Sequence, residues 1–228
     1  FVTNQVVGLL ALGVDVTVLS LSTKPDDSES KLNTIHPELA QRTIYLLDEK
    51  NNSTLDKLIS RVVPVFKALF NGNKRQRVIA ALASRFGHHG KSLLLASIAC
   101  KYQQPLKFDL ILCHFGYNGI VANKLRELGV LQGKLATIFH GYDISAKAAL
   151  VKHSHDYQCL FKQTELMLPI STLWQNKLIE LGCQKEKISV HRMGVDLKLF
   201  EYQPNVGAEQ KAQTDVVKLF TVARFSKK

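Results

Sequence analysis

Two short stretches hold functional groups at unusual density. His140-Gly141-Tyr142-Asp143 sets an imidazole, a glycine, a phenol and a carboxylate in consecutive positions, directly after the apolar run Leu135 to Phe139. Cys113-His114-Phe115-Gly116 ends a second apolar run, Phe108 to Cys113, in a similar way. An imidazole can donate and accept, a carboxylate can accept or orient a neighbour, and a glycine lets the backbone come close to whatever binds. Ser171 after Leu166 to Ile170, and Arg192-Met193-Gly194 after Ile188 to His191, repeat the pattern. Other groups read as structural. Ser171 lacks a G-x-S-x-G elbow and is placed to cap the following helix. Trp174 has the spacing of a packed helix residue. His88-His89 and His153-x-His155 have no carboxylate or cysteine at ligand spacing, so no metal site is expected.

The elements that must position these groups alternate. Val6, Leu9, Leu10 and Leu12 have helical spacing up to Gly13, and Val14, Val16 and Val18 then alternate as in a strand. Ser22 to Ser30 reads as a loop, Thr43 to Leu47 as a short strand and Phe108 to Cys113 as a buried one. Helix Gly119 to Leu128, strand Leu135 to Phe139, a helical stretch around Asp156 to Lys162, strand Leu166 to Ile170, helix Thr172 to Leu181 and strand Ile188 to His191 follow. Near-continuous apolar strands between helices predict an α/β fold, a Rossmann-like doubly wound parallel sheet with both faces covered. Ligands of such sheets gather beyond the carboxyl ends of the strands, where all four polar turns would sit. Residues 1–200 read as this domain, 201–215 as a polar linker, and 216–228, with strand Val216 to Val222, as the start of a truncated second domain. The first strand of the sheet is expected to precede Phe1.

The 228 residues are 46% apolar, enough for a sizeable core. No apolar run approaches the ~20 residues of a membrane-spanning helix, and no secretory signal pattern opens the chain, so a cytoplasmic location is expected. Four scattered cysteines, without C-x-x-C spacing, read as small core residues. The net charge is +11, and Lys57 to Lys107 alone holds ten Lys and Arg with no Asp or Glu. Apolar residues such as Leu58, Ile59, Val62, Val63, Phe66 and Phe70 interleave with this charge. The pattern reads as basic amphipathic helices suited to an anionic membrane surface. A solvated basic face without a ligand is the competing reading. Nucleic acid is not expected, because the stretch has few aromatics and no recognised binding motif. No G-x-G-x-x-G or G-x-x-x-x-G-K-[ST] points to a nucleotide-binding regulator.

Taken in order, Phe1-x-x-Asn4-Gln5, His114-Phe115-Gly116, "GKLATIFHGYDIS", "LMLPIS", "LGCQKEKISVHRMGVD" and "VARFSKK" resemble glycosyltransferase family 4. Within it they are most similar to the transferases of colanic acid and amylovoran exopolysaccharide assembly. The resemblance implies a GT-B fold of two Rossmann-like domains, of which this chain would hold most of the N-terminal one. It implies a retaining hexosyltransferase that needs no metal or other cofactor. The donor would be a nucleotide-diphosphate sugar and the acceptor a lipid-linked oligosaccharide, met at the inner face of the cytoplasmic membrane. His140 and Asp143 would be the catalytic pair, His140 reaching the donor sugar with an imidazole suited to hydroxyls. His114, Gly116, Gly141, Tyr142, Ser171, Arg192 and Gly194 would line the substrate side. Met193 stands where the family has an asparagine, and Asp196 reads as a helix cap. Arg224 matches the family's diphosphate-binding arginine, whose fork suits phosphate, and Lys228 stands near its lysine partner. The family's Glu-x7-Glu pair would lie beyond Lys228, so this chain alone is expected to be inactive. A non-enzymatic membrane- or glycan-binding module is the alternative.

Overall fold

The computed structural model describes residues 2–21, 37–47, 54–195 and 197. Helix α1 (Val2–Ala11) leads to strand β1 (Val18–Ser20), and the short helix α2 (Pro37–Gln41) leads to β2 (Thr43–Tyr45). A helical block follows: α3 (Thr54–Leu69), α4 (Gly72–Ala81), a 3-10 turn at Ser84–Phe86, α5 (Gly87–Lys91) and α6 (Leu94–Ala99). Then come β3 (Leu106–His114), α7 (Gly116–Glu127), β4 (Leu131–Phe139), α8 (Tyr142–Ser145), α9 (Lys147–Gln163), β5 (Leu166–Pro169) and α10 (Thr172–Glu180).

All described ladders are parallel. β1 pairs with β2, and β3, β4 and β5 form a second sheet in that order. The continuous sheet expected from sequence is therefore two sheets among the described residues. The strand expected from Val14 begins only at Val18, and Val14 to Thr17 is irregular. The strand expected at Ile188 to His191 is reduced to a parallel bridge of Ile188 with Met167. It is extended by hydrogen bonds from Ser189 N to Met167 O and from His191 N to Pro169 O.

β4 is the axis of the core. Leu135, Ala136, Thr137, Ile138 and Phe139 are all buried, so both faces of this strand are covered, as a parallel sheet requires. On the Thr137 side α7 lies so close that a side chain at Gly119 would overlap the Thr137 hydroxyl. Phe139 meets the rings of Tyr157 and Phe161 on α9, at centroid distances of 6.1 and 6.4 Å. Helix α6 is buried along its whole length, and Cys100, Cys113 and Cys183 are buried thiols, in line with their reading as core residues.

The basic segment is helical, as expected. Val65 and Ala68 turn the inner side of α3 into the core, whereas Ile59, Val62, Val63, Phe66 and Phe70 remain exposed. Phe66 and Phe70 touch edge to face at 5.2 Å. Among the described residues no helix is long and apolar enough to cross a membrane. Residues 198–228, with the expected linker, second-domain strand, Arg224 and Lys228, lie outside the described residues, as do Asp196 and the loop expected at Ser22 to Ser30.

Truncating the fully buried Phe139 to alanine removes the ring that joins β4 to α9. Urea denaturation of Phe139→Ala should show a loss of about 3–5 kcal/mol. A loss under about 1 kcal/mol, the scale of a surface change, would contradict the placement of the core at β4.

Candidate functional site

The parallel ladders align the carboxyl ends of neighbouring strands. His114 is in register with Ile138, Phe139 with Pro169, and His191 N bonds Pro169 O. His114, His140, Ser171 and Arg192 therefore leave successive strands at the same edge, where the strand-end rule puts a ligand crevice.

Between β3 and α7 the chain turns at Phe115, whose φ of 69° is unusual for a residue with a side chain. That turn lays the Phe115 ring 4.4 Å from the His140 ring. Gly116 opens α7 where any side chain would overlap Phe139 and the Tyr157 hydroxyl. Its N–H donates to Asp143 Oδ2 at 2.8 Å, which ties the start of α7 to α8 across 27 residues. The Tyr157 hydroxyl donates to the Asp143 carbonyl at 2.9 Å. Gly141, with φ of 98° and the Trp174 indole pressed against its Cα, brings the chain from β4 into α8. Ser171 Oγ accepts the Trp174 backbone N–H at 3.4 Å, capping the helix that carries the indole.

Two imidazoles meet on the rim. His114 Nδ1 and His140 Nε2 are 3.2 Å apart, and both rings are half-buried. One shared proton makes this a hydrogen bond; two charged rings would repel. Burial and then the neighbouring His140 and His191 lower the His114 pKa to about 4. His140 is also lowered, by burial, although Asp143 opposes the shift. Burial raises the Asp143 carboxyl, and the Gly116 N–H opposes that. Near neutral pH the pair is thus two uncharged rings that can donate to and accept from hydroxyls.

His114, Gly116, His140, Gly141 and Asp143 form one interlocked unit. Asp143 is 7% exposed, with its carboxylate turned to Gly116. Tyr142 points outward at 75% exposure. Arg192 and Gly194 are exposed and follow the segment whose His191 N–H bonds Pro169 O at that edge. A second polar cluster, which sequence spacing did not reveal, joins His89 on α5, Lys124 on α7 and His153 and Asp156 on α9. Lys124 Nζ lies 2.7 Å from Asp156 Oδ1 and 3.1 Å from His89 Nδ1. Among the described residues no group of side chains suits a metal ion.

No protein-family model matches the chain. Over its whole length it is 38% identical to WcaL of Escherichia coli strain K12 and 37% identical to WcaL of Salmonella typhimurium, both named as colanic acid biosynthesis glycosyltransferases. It is 39% identical to AmsK of Erwinia amylovora, named an amylovoran biosynthesis glycosyltransferase. The chain spans about half the length of these relatives, 54% in each case.

The lowered imidazoles fix the sign of a pH effect. Folded His114 and His89 take up protons near pH 4, against 6.5 for an unperturbed imidazole. The unfolded chain therefore binds more protons between these values, and the stability they contribute, complete above about pH 6.5, is lost as pH falls toward 4. The urea midpoint should drop from about pH 7.5 to about pH 5, and His114→Gln should make that drop shallower. An unchanged slope in His114→Gln would show that this ring is not held neutral.

Proposed function

We propose that the full-length protein transfers a sugar from a nucleotide-diphosphate donor to a lipid-linked saccharide in exopolysaccharide biosynthesis. The observation that carries this reading is the uncharged His114–His140 pair at the carboxyl edge of a parallel sheet. The names of relatives matched along the whole chain support it. The chain is read as the N-terminal, acceptor-side half of a two-domain GT-B transferase of family 4.

His140 grips a hydroxyl of the donor sugar through a neutral ring, and His114 fixes that ring by the bond between Nδ1 and Nε2. Asp143 acts mainly through Gly116, holding the start of α7 so that the two turns keep their spacing. Gly141 and Gly116 let Trp174, Phe139 and Tyr157 pack beneath the two turns that present the substrate groups, Tyr142 and Ser171 border the substrate, and Arg192 and Gly194 extend the acceptor side. The reaction proceeds with retention and without a metal. The acceptor hydroxyl approaches the face the diphosphate leaves, and its proton passes to the departing phosphate oxygen. Negative charge grows on that diphosphate, and Arg224 and Lys228 supply the cations that stabilise it. The second domain closes over the donor and limits hydrolysis by excluding water.

The protein works peripherally, at the cytoplasmic face of the membrane. Exposed Ile59, Val62, Val63, Phe66 and Phe70 enter the interface while the surrounding lysines and arginines meet anionic headgroups. The same face favours a second reading, a membrane- or glycan-binding module without catalysis.

Two experiments separate these ideas. In the full-length protein His140→Ala should lower turnover by about 10²-fold or more, as removal of one transition-state hydrogen-bond donor does, with unchanged circular dichroism. Wild-type turnover in that variant would remove His140 from the reaction. Sedimentation with phosphatidylglycerol vesicles should show binding that weakens at high salt, each basic residue near the surface contributing about 1 kcal/mol. Replacing Phe66 and Phe70 by serine should reduce it further. Absence of binding at low salt would defeat the membrane assignment, and salt-sensitive binding without any transfer would favour the module.

A further inference from the structure

The second polar cluster borders a cleft of about 440 Å³ between α5 and α9, within the range of roughly 300–1,000 Å³ typical of small-molecule sites. Arg85, His88, His89, Lys152, His153 and Asp156 line it. Charge and hydrogen-bond direction decide what it can hold. Asp156 is the carboxylate of this lining, and Lys124 already engages it at 2.7 Å. Its Oδ2 also faces His153 Nδ1 at 3.8 Å and His89 Nδ1 at 3.9 Å. Arg85, which lies 4.8 Å over the Phe86 ring, and Lys152 add two positive charges at the exposed mouth.

His89 sits at the base of this cluster, 2% exposed. Its Nδ1 faces the Lys124 ammonium at 3.1 Å, and an ammonium can only donate, so Nδ1 accepts and the proton of the neutral ring resides on Nε2. That Nε2–H is buried and has no hydrogen-bond partner. An unpaired buried donor is costly, about 1–3 kcal/mol, so this end of the ring is held by packing rather than by a hydrogen bond. A metal cation would meet Lys124, Arg85 and Lys152, and among the described residues the His and Asp side chains form no group arranged to hold one. An anion with several acceptor oxygens would meet the guanidinium and the ammonium at the mouth.

The cleft also has a fixed relation to the rim. The Tyr117 ring lies 5.5 Å from that of His89 and 5.8 Å from that of His153. Tyr117 follows Gly116, whose N–H is bound by Asp143. One turn of α7 thus has the rim on one side and the cleft on the other. Resting on the transferase reading above, we propose that this cleft binds the phosphate or diphosphate group of the saccharide acceptor, Arg85 and Lys152 donating to its oxygens above the His89 ring. The saccharide end would then extend along α7 toward His114 and His140.

The test uses inorganic pyrophosphate titrated calorimetrically into this chain. Arg85 and Lys152 are exposed, so Arg85→Ala and Lys152→Ala should fold normally. Each should weaken binding about tenfold, the loss expected for one charge-assisted hydrogen bond. Farnesyl diphosphate should compete with pyrophosphate, and farnesol should not. Absent binding, or binding that both variants leave unchanged, overturns the proposal. A third arm measures both variants on phosphatidylglycerol vesicles. Retained vesicle binding with weakened pyrophosphate binding supports the acceptor assignment; lost vesicle binding with unchanged pyrophosphate binding assigns the cleft to bilayer headgroups and overturns it. Since no sugar transfer is read, cleft-dependent binding in a protein whose full-length form transfers no sugar would refute the function and keep the anion site. Active transfer without cleft-dependent binding would refute the cleft alone.

Discussion

The bond from the Gly116 N–H to the Asp143 carboxylate is the constraint on which the candidate site depends. It joins the turn after β3 to the turn after β4 at the point where each leaves the sheet. The backbone bond from Phe115 N to Ile138 O and the His114–His140 contact join the same region, and the Gly116–Asp143 bond adds the link from the start of α7 to α8. Its location also makes it demanding, because a carboxylate removed from water must find partners. Oδ2 has Gly116, while Oδ1 is buried without a partner, and burial accordingly raises the pKa of the group. A buried acid at a strand edge is costly to stability, and its retention is best explained by the geometry it enforces.

What it enforces is a short separation between two imidazoles. At 3.2 Å they cannot both be charged without strong repulsion, so proximity and burial act in the same direction and keep the pair neutral. Neutral rings can both donate to and accept from hydroxyls. The cleft behind α7 has the opposite character, with two mouth cations and a buried N–H that lacks an acceptor. The molecule therefore separates hydroxyl chemistry from phosphate chemistry by the width of one helix. A ligand with both kinds of group, joined by a saccharide, would match both.

The parts of this arrangement that sequence could reveal were those fixed by local pattern. Apolar runs ending in His114 and His140 identified two strand ends, and the strand-end rule put them on a common edge. The Ser171 cap followed from its place before a helical spacing. Long-range pairings were not legible. Nothing local to Asp143 indicates that it turns inward to Gly116, and nothing near His89 announces Lys124, 35 residues away, or His153 on a different helix. Spacing could not show that the fold brings the two histidine pairs to one cleft. Strand limits erred where propensity lacked a neighbour: Val14 and Val16 alternate well, but pairing with β2 starts only at Val18. Helix α9 extends back to Lys147 through the apolar run Ala148, Ala149, Leu150 and Val151, which lacks helical alternation of polar and apolar residues.

The contrast between interior and surface charge explains why one chain can need both. Lys124, 7% exposed at its side chain, is held by Asp156, and such a buried pair is weakly screened by salt. It sets the tautomer of His89 in dilute and concentrated buffer alike. The charges along α3 and α4 are different, since those on the outer face lie in water and attract a surface only over about a Debye length. Surface attraction of this kind is reversible, and the exposed apolar side chains of α3 add a contribution that salt does not abolish. On the membrane role proposed above, the protein leaves and returns to a surface as salt changes, while the Gly116–Asp143 bond holds the turns behind the strand edge.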